Sequence, residues 1–190
     1  MIDVKAEIYA YLEEAGRGGT RELIAHMEQI GFFETPATTG YHAAKSGGLA
    51  EHSLNVLKQA MLINDALCYP CRHESIVICS LLHDLGKCGQ FGKAEYVKNI
   101  LKSGKQSESK PFERNKELLP TDHEVRSVII ASKYIELTEE EQYAILMHNG
   151  LYGPFKYEIQ GNETPLYMIL HFADMWASRV IERGVKDETV

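Results

Sequence analysis

Leu81-Leu82-His83-Asp84-Leu85-Gly86-Lys87 is the stretch on which the reading of this chain turns. An imidazole and a carboxylate stand side by side there, directly after the apolar run Ile76-Val77-Ile78-Cys79-Ser80-Leu81-Leu82 and directly before a helix-stopping glycine. Burying a carboxylate beside a histidine at the end of a core helix costs several kcal/mol unless something positive pairs with it. A divalent metal ion is such a partner. Imidazole nitrogen and carboxylate oxygen without thiolate suit zinc, iron, manganese, cobalt or nickel, and suit magnesium less well because it prefers all-oxygen shells. The bland alternative is a His-Asp pair hydrogen-bonded to each other or to backbone. The dipeptide alone does not separate the two, so the rest of the chain has to.

Outward from this stretch, the periodicity is helical. Residues 2–15 and 20–30 carry apolar positions at helical spacing, with Gly16 and Gly18-Gly19 between them. The paired glycines Gly47-Gly48 allow a close backbone approach and introduce a helix with His52 in its first turn or two. A second helix, about 74–85, ends in His83-Asp84. Residues 93–101 read as a helix and 102–111 as a polar loop. Thr121 or Asp122 caps a helix beginning at His123, whose Val125, Val128, Ile129, Ser132 and Ile135 face inward. Thr138 and Glu141 form a capping box for a helix that gives out at His148-Asn149-Gly150. The last helix starts near Pro165 and carries Asp174 inside its most apolar stretch, where a lone carboxylate would need pairing or a metal. No series of strands is visible. The expected fold is all-α and single-domain, with residues 1–39 an N-terminal helical extension packing on a core of 40–190.

Composition narrows the chemistry. The 190 residues, 44% apolar and 25% charged, suffice for one hydrophobic core. No apolar run approaches the roughly 18 residues that span a bilayer and the N-terminus is not a signal peptide, so no membrane partner and a cytoplasmic location are expected. Cys68 and Cys71 form an isolated C-x-x-C, and Cys79 and Cys88, nine residues apart, do not make the second close pair that a zinc ribbon needs; all four are expected as reduced thiols. A net charge of −7 argues against broad nucleic-acid binding but not against a small phosphorylated substrate at a metal.

Gly47-Gly48-Leu49-Ala50-Glu51-His52-Ser53, Leu82-His83-Asp84-Leu85-Gly86-Lys87 and Ala173-Asp174 occur in the order H…HD…D, and over roughly residues 40–183 the chain resembles the HD-domain metal-dependent phosphohydrolases. The resemblance implies an HD-type helical bundle in which His52, His83, Asp84 and Asp174 bind one metal ion. Binuclear members add histidines between the HD pair and the last aspartate; His123 and His148 fall in such places, with Asp84 then bridging the ions. Asn149 stands where some relatives carry a second histidine. One or two divalent ions (Mn, Fe, Zn, Co, Ni or Mg) are thus the expected cofactors.

The chemistry of such a centre is hydrolysis of a phosphoester, of a nucleotide or a related small phosphorylated substrate, by water that the metal activates. Asp84 or Asp174 can orient that water. Lys87, Arg126 and Lys45 lie beside the ligands in sequence and could hold phosphate, with Lys87 favoured. Arg179, five residues after Asp174, could bind phosphate or pair with a glutamate, the latter being favoured. His42 and His171 read equally as groups supporting the site or as structural histidines. An exoribonuclease-like nuclease and a non-catalytic metal- or nucleotide-sensing module are the alternatives, the first disfavoured by the acidic charge and the second by the complete ligand set. A homo-oligomer is compatible with the sequence.

Overall fold

Helix α3 (Gly48–Ala66) is the axis on which the other helices assemble. The computed structural model describes residues 3–68 and 71–182; residues 1–2, Tyr69-Pro70 of the C-x-x-C segment, and 183–190 at the end of the expected core lie outside the described residues. Helix α3 begins where Gly48 runs so close to Ala43 that a Cβ would fall 1.9 Å from the Ala43 carbonyl oxygen. Paired glycines permit that approach and side chains do not.

Two N-terminal helices, α1 (Val4–Glu14) and α2 (Thr20–Gln29), contribute Ile8, Leu12, Leu23 and Met27 to the same core as Leu49 and Leu57 of α3. Helix α4 (His73–Leu82) packs on α3 and is buried from Ser75 to Leu82. That burial explains why its sequence is apolar without a polar face. Further along lie α5 (His123–Ala131), α6 (Glu139–Met147), a short α7 (Lys156–Ile159) and α8 (Pro165–Trp176), the last packed against α3 and α6.

The capping box at Thr138 forms: its hydroxyl accepts from the Glu141 N–H and the Glu141 carboxylate accepts from the Thr138 N–H. The same carboxylate, fully buried, also accepts from Arg17 and from the Ser75 hydroxyl, which ties the segment between α1 and α2 to the bundle. Thr164 caps α8, with Pro165 at its first position as expected. No helix among the described residues is long and apolar enough to cross a membrane.

The fold is all-α apart from one small hairpin, and there the expectation of a helix over 93–101 fails. Strand β1 (Tyr96–Lys98) pairs antiparallel with β2 (Phe112–Arg114), Tyr96 opposite Arg114. Tyr96 and Val97 suit a strand, and the long loop between the strands is closed by backbone bonds such as Asn99 N–H to the Pro111 carbonyl. Tertiary pairing thus overrides a weak local helical pattern. Ile129 also departs from expectation, facing solvent rather than the core.

Helix α4 stops at Leu82 rather than at Gly86, and Leu85–Cys88 form a separate 3-10 turn. Gly86 serves a different purpose from a helix stop. A Cβ on it would lie 2.1 Å from the His123 carbonyl oxygen and 2.7 Å from Arg126 Cβ, and its N–H donates to Ser127 Oγ at 2.8 Å. The glycine lets the turn after Asp84 press against α5. Gly86→Ala is therefore expected to lower stability by about 1–3 kcal/mol through overpacking, read as the denaturant midpoint of purified protein.

Candidate metal centre

Two histidines of the centre occupy helix ends, and the helix ends dictate how they point. The last carbonyls of a helix lack intrahelical donors. His83 follows α4 directly and its Nδ1–H donates to the Ser80 carbonyl at 2.9 Å; His148 follows α6 and its Nδ1–H donates to the Ile145 carbonyl at 2.7 Å. With Nδ1 holding the proton, each ring presents the Nε2 lone pair to the gap between the helix ends. His52 enters from the second turn of α3, His123 from the first residue of α5 and Asp174 from the last turn of α8.

These groups converge on Asp84. Its Oδ2 lies 3.5 Å from His52 Nε2 and 3.4 Å from His83 Nε2, and its Oδ1 lies 3.1 Å from His123 Nε2 and 3.6 Å from His148 Nε2. Asp174 Oδ1 stands 3.2 Å from His52 Nε2. The structure thus brings His52, His83, Asp84, His123, His148 and Asp174 into one cluster, with each oxygen of Asp84 facing its own pair of imidazoles.

Close as they are, several of these atoms are unsatisfied. His52 Nε2, His83 Nε2 and Asp84 Oδ1 are buried and have no hydrogen-bond partner. Buried polar atoms are almost always paired, and leaving one unpaired costs about 1–3 kcal/mol. Unpartnered ring-nitrogen and carboxylate-oxygen atoms gathered at one point, with no thiolate among them, fit a divalent ion. Ligand atoms of His52, His83 and Asp174, and again of His83, Asp84 and His148, lie within 4.8 Å of one another, as metal ligands must.

The electrostatics agree. Burial disfavours charge on Asp84, but the Lys87 ammonium and the surrounding imidazoles outweigh it and hold the carboxyl well below the usual range. Burial keeps His83 neutral, the form that binds a metal. His52 goes the other way: burial opposes its charge, yet Asp174 and Glu182 lift it to about 10. Because that folded value exceeds the ordinary 6.5, the stabilisation is complete below 6.5 and is lost as pH rises through about 10. Chelated protein is accordingly expected to lose several degrees of Tm between pH 7 and 10, and His52→Asn to flatten that slope. An ion held through His52 Nε2 would have to displace that proton, so its affinity should rise over the same interval.

Lys87 reaches the centre, its Nζ 2.6 Å from Asp84 Oδ2. Arg126 does not. Its guanidinium, 2% exposed, binds the Glu95 carboxylate and the Leu119 carbonyl, so adjacency to His123 in sequence misplaced it as a phosphate-holding group. The two residues lie one turn apart along α5, and that displacement is enough for His123 to reach Asp84 while Arg126 reaches Glu95 beside the hairpin. Lys45 pairs with Glu51 at the surface. Arg179 has no carboxylate partner among the described residues, contrary to expectation; it lies over the Tyr152 ring, 4.6 Å from the centroid. His171 donates from Nδ1 to the His148 carbonyl at 2.6 Å.

Residues the sequence left unmarked complete the setting. Glu124, buried, accepts from Asn149 Nδ2 at 2.6 Å and lies 3.2 Å from His123 Nδ1, so that Asn149 braces the His123 side. Glu182 meets His52 Nδ1 at 2.9 Å. A cavity of about 120 Å³ opens beside the cluster, lined by His42, Lys87, His148, Asp174, Tyr152 and Arg179 among others. A larger one, about 490 Å³, lies elsewhere against Ile30, Phe91 and Lys93 and contains none of the clustered ligands.

A family model described as HD domain matches residues 49–175, which takes in all six clustered residues, Asp174 close to its end. No curated protein and no solved structure matches the chain.

Proposed function

The chain belongs to the HD domain family, a superfamily of metal-dependent hydrolases, and from that premise we propose that it hydrolyses a phosphoester of a nucleotide or similar small phosphorylated compound. The observation that carries the proposal is the central Asp84, unpaired at Oδ1 and faced on each oxygen by two imidazoles. His52, His83, Asp84 and Asp174 would hold one divalent ion, and His123 and His148 with Asp84 a second. Such ions supply Lewis acidity toward a phosphoryl oxygen and make water nucleophilic near neutral pH.

The remaining work falls to the chain's own groups. Asp174 is 16% exposed and lines the cavity, whereas Asp84 is 1% exposed, so Asp174 is the carboxylate that can accept a hydrogen bond from the attacking water. The water oxygen bonds to phosphorus as its proton passes by way of the Asp174 carboxylate to solvent, the ester P–O bond breaks, and the departing oxygen takes up a proton at the solvent-open mouth. Lys87 stays protonated, because Asp84 outweighs the burial that opposes its charge. Its ammonium, in the cavity wall, balances the phosphoryl charge as that charge grows.

The cavity of about 120 Å³ beside the cluster is open to solvent, and we place the phosphoryl group of the substrate in it, against Lys87 and Asp174. The rest of the substrate would then meet the outer wall, where Tyr152 is 70% exposed and Arg179 covers its ring. An aromatic face with a guanidinium over it suits a base or a second anionic group.

The test is phosphate release from nucleoside mono-, di- and triphosphates, with single-stranded RNA as a control, after chelation and resupply of manganese, iron(II) or cobalt. Turnover of a small substrate is expected, and metal-loaded protein that hydrolyses none would favour a sensing module. Lys87→Met should lower kcat by about 100-fold, as loss of one charge-stabilising donor does, with metal content retained. Arg179→Ala should raise KM by about tenfold and leave kcat nearly unchanged, the mark of a group that binds substrate and transition state alike.

A further inference from the structure

We infer that Glu182 is a positioning residue that fixes His52 as a metal ligand, through a carboxylate clamp supplied by an interruption in the last helix. The inference rests on the proposed metal centre. After α8 the chain continues through a π-turn, Ala177–Ile181, that ends at Glu182. In a straight α-helix residue 182 would be rotated about 80° from Asp174; a π-turn absorbs one extra residue and returns it to within about 20°. One helix thereby meets both nitrogens of one imidazole. Asp174 faces His52 Nε2 at 3.2 Å and Glu182 faces Nδ1, its Oε1 at 2.9 Å and Oε2 at 3.1 Å.

A carboxylate can only accept, so Nδ1 carries the proton and Nε2 is left to the metal. His83 and His148 obtain the same result from helix-end carbonyls. His52 cannot, because it lies inside α3, where the preceding carbonyls already accept intrahelical bonds. It needs an acceptor from outside its own helix, and Glu182 supplies one.

The clamp is itself held. Glu182, 7% exposed, also accepts from Asn55 Nδ2 at 3.2 Å and binds the Nδ1 of His42, whose ring lines the substrate cavity. The ligand atoms of His42, His52 and Glu182 are near enough to hold an ion of their own. They are already hydrogen-bonded to one another, however, unlike the unpaired Nε2 of His52, and the arrangement is that of an orienting network.

Zinc affinity of the chelated full-length chain, measured by competition with a chromophoric chelator, tests this without reference to turnover. Glu182→Ala should bind zinc about 10–100-fold more weakly than wild type, the usual consequence of removing a partner that orients a ligand. Glu182→Gln, which keeps an acceptor for Nδ1–H, should fall between the two. In a His52→Ala background the Glu182 substitutions should change affinity by no more than about twofold, because the group through which they act is gone. Should Glu182→Ala fail to fold, Glu182→Gln in the two backgrounds decides in the same way. Wild-type affinity in the Glu182 variants, or an equal loss in the His52→Ala background, overturns the clamp and leaves the functional proposal standing. Zinc binding that follows the expected pattern without turnover of any phosphoester overturns the functional proposal alone.

Discussion

Asp84→Ala is expected to abolish both metal binding and phosphoester hydrolysis. Each oxygen of this carboxylate faces a separate pair of imidazoles, so its loss removes a ligand from either half of the centre at once. Charge stabilisation by a bound ion amounts to several kcal/mol of barrier; at about 1.4 kcal/mol per tenfold, activity should fall by roughly three orders of magnitude or more. The substitution also strands the buried Lys87 ammonium, whose carboxylate partner at 2.6 Å among the described residues is Asp84. Asp84→Asn, which keeps the shape and an acceptor for Lys87, separates the two effects. Metal content by mass spectrometry and phosphate release should be lost in both variants, with thermal stability lower in the alanine variant than in the asparagine one.

Arg126→Met is expected to give the opposite pattern, a large loss of stability with the chemistry intact. The guanidinium is buried and joins α5 to the hairpin through Glu95 and the Leu119 carbonyl. Removing one partner of a buried ion pair typically costs about 3–5 kcal/mol. Here Arg114 remains 3.4 Å from Glu95, which places the expected loss near 3 kcal/mol, or roughly 10 °C in Tm for a chain of this size. Below its Tm the variant should keep kcat and KM within a few-fold of wild type. A hundredfold fall in kcat at unchanged stability would return Arg126 to the site.

The contrast between Asp84 and Arg126 shows what the sequence could reveal. Helix ends were legible because they carry local chemistry: the Thr138–Glu141 box, Thr164-Pro165 and the paired glycines before α3 all fall where their side chains and backbone freedom place them. Ligand candidates were legible because a histidine or aspartate inside an apolar helix is out of place without a partner. Which neighbours would meet them was not. Arg126 and His123 are three residues apart yet diverge, while Glu182 and His52 are 130 residues apart and touch. The hairpin at 96–114 was hidden for a related reason, since its pairing depends on contacts such as Glu95–Arg126 that no local window contains. Glu182 had a faint signal, an acidic residue eight positions after Asp174, but regular helical geometry puts that position on another face and only the π-turn brings it back.

Anomalous diffraction from crystals of manganese-loaded protein addresses the metal centre most directly. Ions are expected within reach of Asp84, one held with His52, His83 and Asp174 and the other with His123 and His148. Ions bound elsewhere, or none within reach of Asp84 at saturating manganese, would contradict it.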